Sequence, residues 1–152
     1  MDALKLLKQD HDEVRKLFEE FDASRRSTRA RERLYEVLRE EIELHAQVEE
    51  EIFYPALKAS PSAELRRLAL EAADEHRLVD ALLEELLDLG PTDAEFDATM
   101  DLLRDNVLHH ADEEERALFV EARKELDKDQ LVRLGRALAD RKGALKVQPA
   151  HR

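Results

Sequence analysis

Apolar residues recur at alternating steps of three and four along four successive stretches of the chain, and histidine interrupts every one of those stripes. In the first stretch, Leu4, Leu7, Val14, Phe18 and Phe21 keep helical spacing only when His11 is counted among them. In the second, Leu34, Leu38, Ile42, His45, Glu49 and Ile52 trace one face. The third carries Leu65, Leu68, Ala72, His76, Val79, Leu83 and Leu86, and the fourth Phe96, Met100, Leu103, Val107, His110, Glu114 and Ala117. A shorter fifth stretch, about residues 128 to 142, shows Leu131, Leu134 and Leu138. β-Branched and aromatic residues are sparse and never alternate, so no strands are expected. Charged residues (41%) and hydrophobic residues (43%) are nearly balanced, as suits long amphipathic helices with solvated outer faces.

The breaks between stripes carry their own signals. Asp2 can cap the first helix, and residues 22–28 form a polar connection with Ser27 or Thr28 as the next cap. Pro55 interrupts the hydrogen-bond ladder near the end of the second helix. Ser60-Pro61 reads as the start of the third, a cap followed by proline in the first turn. Gly90-Pro91 stops that helix, and Thr92 or Asp93 opens the fourth. Short connections between four long helices predict an all-α fold, an antiparallel up-down-up-down four-helix bundle with a short fifth C-terminal helix. Residues 1–145 are expected to form a single domain, with 146–152 a disordered tail.

Several partner classes are disfavoured. A net charge of −12 repels a phosphate backbone, so no nucleic-acid partner is expected. No stretch approaches the roughly 18 to 20 apolar residues of a membrane span. The opening MDALKLLKQD lacks an apolar signal core, and the chain has no cysteine for disulfides or thiolate metal sites. A cytoplasmic location fits these features.

The interruptions are the informative residues. Four inward histidines and two inward glutamates place one ligand-type residue or pair on each long helix. Glu49 and Glu114 each follow a histidine by four residues, so each pair shares a helical face roughly 6 Å apart along the axis. An unpaired buried carboxylate costs several kcal/mol in practice. A polar core held by its own salt bridges offsets part of that cost; metal ions answer it directly. Neutral imidazole and carboxylate together suit iron, zinc or manganese, and glutamates on opposite helices can each bridge two ions. His109 competes with His110, with Glu113 as its partner at i+4. His110 is preferred because it continues the stripe from Val107 to Ala117, and because His, Glu and Glu stand at relative positions zero, four and five in both runs. His151 lies in the tail with no constellation around it.

Four pieces in order, Asp10-His11, HAQVEEEIFYP at 45–55, DEH at 74–76 and HADEEERALF at 110–119, resemble the hemerythrin-like family of HHE cation-binding proteins. The resemblance spans roughly residues 1 to 125. It implies a four-helix bundle around an oxo- or hydroxo-bridged pair of iron ions, with His11, His45, Glu49, His76, His110 and Glu114 as ligands. In a regular helix Tyr54 points roughly 140° away from Glu49. A π-bulge would bring residues five apart onto one face, and Pro55 has already removed the amide that would bond the carbonyl of Glu51. The FYPAL ending is similar to a branch of the family in which a tyrosine at this place ligates iron, which makes Tyr54 a candidate seventh ligand.

Oxygen-carrying members of the family have a second histidine on the third helix. Here the residues four before and four after His76 are Ala72 and Asp80. Fewer neutral and more anionic ligands favour the ferric state, so the resemblance implies reaction with hydrogen peroxide, catalase-like, rather than reversible carriage of dioxygen. Glu75 and Asp80 are candidates for supporting contacts beside the site. The alternatives are sensing of oxygen, iron or redox state, or oxygen binding without turnover.

Overall fold

The computed structural model describes residues 1–24 and 27–147. Five helices account for nearly all of it. Helix α1 is Ala3–Ala23, capped by Asp2, whose side chain accepts from the amide of Lys5. Helix α2 begins as Thr28–Val48 behind Ser27, whose hydroxyl accepts from the amide of Ala30. It then passes through a π turn, Glu49–Phe53, and resumes as Tyr54–Lys58. Helix α3 is Ala63–Leu87. Helix α4 starts as Ala94–Glu113, passes through a second π turn, Glu114–Leu118, and ends as Phe119–Glu125. Helix α5 is Lys128–Lys146, opened by a reciprocal capping box between Asp127 and Gln130.

The first four helices form the antiparallel bundle, and α5 packs along α1 and α2. Two boundaries differ from the expectation. The cap of α3 is Ser62, not Ser60: the Ser62 hydroxyl accepts from the amide of Leu65, while Ser60 accepts from the amide of Ser62 in the turn before it. Pro61 therefore lies in the turn rather than inside the helix. Helix α5 runs four residues further than its leucine spacing indicated, because Leu145 still finds the core to pack against. Gly143–Lys146, placed outside the fifth helix by the sequence reading, are thus helical. Most of the expected tail, 148–152 with His151, lies outside the described residues.

Two apolar clusters fill the interior. One, toward the α5 end, gathers Leu4, Leu7, Val48, Phe53, Leu57, Leu65, Leu118 and Leu138. The other, toward the opposite end, gathers Val14, Phe18, Leu38, Val79, Leu86, Phe96 and Leu103. The inward histidines and glutamates form a polar belt between them. Gly135 lets α5 approach this closely: a Cβ there would come 2.2 Å from the carbonyl oxygen of Met1. That contact is with backbone, which cannot swing aside as a side chain could.

The π turns decide which residues face the belt. In each, one extra residue enters the turn, so the amide of Tyr54 bonds to the carbonyl of Glu49 and the amide of Phe119 to that of Glu114. Residues five apart then share a face. Tyr54 is brought inside at 1% exposure. In α4 the regular stripe would have continued to Ala117; the π turn instead buries Leu118 and Phe119 and leaves Ala117 half-buried.

Candidate metal centre

His11, Glu49, Tyr54, His76, His110 and Glu114 are buried, and His45 nearly so. Their polar atoms converge. The Nε2 atom of His11 lies 3.1 Å from Glu114 Oε1, and that of His76 lies 3.1 Å from Glu49 Oε1. His45 Nε2 stands 3.2 Å from Glu49 Oε1, and His110 Nε2 stands 3.4 Å from Glu114 Oε2. Each carboxylate thus touches one histidine from α1/α2 and one from α3/α4. His109, by contrast, is exposed on the surface.

The histidines form two edge-on pairs, His11 with His45 and His76 with His110, each with ring centroids 4.9 Å apart. Every Nδ1 is held from outside by a carboxylate. His11 uses Glu115 at 2.7 Å, His45 uses Asp10 at 2.8 Å, His76 uses Glu50 at 2.7 Å and His110 uses Glu75 at 2.6 Å. With Nδ1–H donated outward, each Nε2 is directed into the belt, and once it gives up its proton its lone pair is placed as metal-binding imidazoles require.

The Tyr54 hydroxyl sits among these groups, 2.5 Å from Glu114 Oε2, 3.1 Å from Glu49 Oε1, 3.1 Å from His76 Nε2 and 3.3 Å from His110 Nε2. A phenol has one proton to donate. The shortest contact gives it to Glu114, which leaves the other three as close polar neighbours without that proton.

Electrostatics follow from the same contacts. Burial alone would lift the Glu49 carboxyl, but His45 and His76 outweigh it and hold it well below the usual carboxylate range. Burial and the charge of Glu49 push Glu114 up, and His110 and His11 bring it down overall. For His45, burial disfavours the cation, yet Glu49 and Asp10 raise it to about 10. His110 is likewise raised well above its ordinary value against burial, by Glu114, Glu75 and Glu49. Burial, Glu114 and Glu49 all push the Tyr54 phenol well up.

Glu49 Oε2 is buried without a hydrogen-bond partner, and buried His45 Nε2 makes no hydrogen bond although it lies 3.2 Å from Glu49 Oε1. A core zipped together by its own hydrogen bonds would not leave them so. One possible donor set of His11, His45, Glu49 and Glu114, and another of Glu49, His76 and His110, each have ligand-type atoms within 4.8 Å of one another. Glu49 belongs to both. Imidazole and carboxylate without thiolate fit a borderline or hard divalent or trivalent cation.

The family model of the hemerythrin HHE cation-binding domain matches residues 2–122. The chain belongs to that family. A hemerythrin HHE cation binding domain-containing protein from Mycobacterium kansasii, of known structure, superimposes on this hemerythrin-family chain with a TM-score of 0.81 at 27% identity, over 95% of this chain and 86% of that one. A protein described as a DNA nickase from Nostoc sp. strain PCC 7120 is 28% identical over 130 residues. The match takes in 86% of this chain but 36% of the Nostoc protein, so the chain spans about a third of that relative's length.

The hemerythrin-type belt also has a symmetry that the stripe analysis overlooked. A shift of 65 residues carries Asp10-His11 onto Glu75-His76, His45 onto His110, Glu49-Glu50 onto Glu114-Glu115 and Tyr54 onto Phe119. The outer carboxylates Asp10, Glu50 and Glu115 were missed with it, although each is adjacent in sequence to an inward residue. The repeat breaks at Tyr54 and Phe119. Phe119 lies flat on His11, with ring planes 1° apart and centroids 5.8 Å apart. The phenol therefore has no counterpart in the other half.

The raised histidines set a pH dependence for the protein stripped of metal. A histidine held as a cation stabilises the fold fully below its unfolded value near 6.5, and that contribution disappears as pH rises through the folded value. With His45 raised to about 10, chelator-treated protein should lose stability progressively as pH rises between these limits. Thermal unfolding at pH 6.5 and pH 9.5 checks it, with a falling Tm expected. Metal-loaded protein should show the opposite trend in metal affinity, because ligation expels those protons.

Proposed function

We propose that this belt would hold two iron ions, with Glu49 and Glu114 supplying its carboxylate ligands, and that the chain decomposes hydrogen peroxide. His11 and His45 would hold one ion, His76 and His110 the other, and Tyr54 would join the second pair as a phenolate. The single observation that carries this reading is the position of the Tyr54 hydroxyl, within 3.3 Å of His76, His110 and both carboxylates. It makes the donor set rich in anions. Iron in such a set supplies electrons and Lewis acidity while favouring its ferric state.

The protein shapes what can reach the ions. A cavity of about 40 Å³ opens beside the four histidines, walled by Val14, Ile42, Val79, Val107 and Leu108. That space has room for a small molecule such as peroxide or dioxygen. Asp80 also lines it, and is the one acid there outside the ligand set. Burial and the charge of Glu50 push its carboxyl up. An acid so placed, exposed to solvent on its outer side, can pass protons to and from a small substrate. Disproportionation needs this: one peroxide is reduced to two waters, taking up two protons, and a second is oxidised to dioxygen, releasing two.

The test is oxygen evolution from peroxide by the iron-loaded chain, set against the same concentration of free iron and of iron-loaded Asp80→Asn. Turnover above free iron, lowered in the variant, supports the reading. No evolution above free iron rejects it. A second reading, sensing without turnover, is favoured by one observation: Lys142 of α5 reaches Asp10, the partner of His45. The nicking activity in the name of the Nostoc protein is not carried over, because a net charge of −12 opposes a phosphate backbone.

A further inference from the structure

The two halves of the belt are matched in their histidines and unmatched in what stands behind them. Lys142 Nζ lies 2.5 Å from Asp10 Oδ1, and the other oxygen of Asp10 holds His45. Both side chains are largely covered, at 15% and 11% exposure. Arg15 lies 3.0 Å from Glu115 Oε2, the oxygen that holds His11, and Arg15 is shared with Asp12 and Asp112. So each histidine of the first pair is held by a carboxylate that is itself paired with a cation.

The second pair is different. Glu50 and Glu75 hold His76 and His110, their side chains are 48% and 41% exposed, and neither has a Lys or Arg partner among the described residues. The Tyr54 hydroxyl is also on this side. By the 65-residue repeat, Asp10 corresponds to Glu75. The cation on Asp10 comes from α5, which lies outside the repeat.

We propose that Lys142, backed by Arg15, makes the His11/His45 half of the belt the electron-accepting half. This rests on the reading of the belt as a two-iron site. A carboxylate behind a metal-bound imidazole raises the basicity of that ligand. A cation on the carboxylate withdraws part of that effect, so His45 donates less strongly than His110. The ion held by His11 and His45 is therefore more easily reduced, and the one beside Tyr54 stays ferric. Lys142 touches no reacting atom; it is a positioning residue that acts through Asp10.

The experiment is a stepwise dithionite titration of the full, iron-loaded chain, followed by Mössbauer and electron paramagnetic resonance spectra. Wild type should take its first electron at one iron site, giving one ferrous doublet. Lys142→Met should move that first couple to more negative potential by about 59 mV, a tenfold shift for one electron, and leave the second couple in place. Lys142→Arg should restore the first couple. Arg15→Met, on a different helix, should move the same couple in the same direction and serves if Lys142→Met fails to fold. Unchanged potentials in both Met variants, or equal movement of both couples, overturns the proposal. Failure of wild type to take up two irons is seen beforehand, in its metal content, and rejects the two-iron reading instead.

Discussion

On the two-iron reading, Glu49→Ala should leave the chain unable to hold iron, with metal content falling from two ions per chain to less than one. Glu49 is fully buried, and its Oε1 stands within 3.2 Å of both His45 and His76, one from each half of the bundle. It is the one residue shared by the two possible donor sets. Its removal takes one candidate ligand atom from both sets at once. The same substitution leaves raised histidines without their main counter-charge, and breaking a buried pair in this way costs about 3 to 5 kcal/mol. The metal-free variant should therefore also melt earlier than metal-free wild type. Glu49→Gln separates the two effects, since it keeps the shape of the side chain and removes the charge. Metal analysis after dialysis, with circular dichroism as the check on folding, decides it. Retention of two ions by both variants would show that Glu49 is no bridge.

Tyr54→Phe should keep iron and abolish the visible phenolate-to-iron charge-transfer band. The hydroxyl makes the polar contacts with the belt; the ring itself packs against Phe53 and His76. Phenylalanine preserves that packing. The loss in the metal-free protein is one short hydrogen bond to Glu114, about 1 to 3 kcal/mol for a buried acceptor left without its donor. If Tyr54 ligates as proposed, the iron-loaded protein loses an anionic ligand, so the neighbouring ion should become easier to reduce and peroxide turnover should fall. Absorbance spectra and oxygen evolution on the same sample check both. An unchanged visible spectrum would remove Tyr54 from the ligand set.

Much of the site was legible because helices impose a period. His11, His45, His76 and His110 were found by asking which residue completed an apolar stripe, and i+4 spacing supplied Glu49 and Glu114. The stripe fails where the period changes. Ala117 was placed on the inner face because 3.6 residues per turn carried it there; the π turn at Glu114–Leu118 turned Phe119 inward instead. At Tyr54 the missing amide of Pro55 flagged a tolerant point in α2, but α4 has Val120 in the corresponding position and gives no such signal. The second π turn was thus silent in local sequence. The 65-residue repeat was a usable signal, since Tyr54 and Phe119 occupy matching places in it.

The outer contacts were less accessible still. Asp10, Glu50, Glu75 and Glu115 are four acids among 37, and their neighbours on the same helix do not say which histidine each will hold. Asp10 adjoins His11 yet bonds His45, because Nδ1 of each imidazole faces the adjoining helix rather than its own.

The sequence by itself determined a helical bundle with a histidine–carboxylate belt, because burial demands periodic apolar faces and makes any polar residue on them conspicuous. Only the tertiary structure decided which acid backs which histidine, that Tyr54 enters the belt while Phe119 covers His11, and that Lys142 reaches Asp10 across 132 residues of chain. Those contacts join separate helices, and they depend on how far each helix is turned about its axis, which no local spacing encodes.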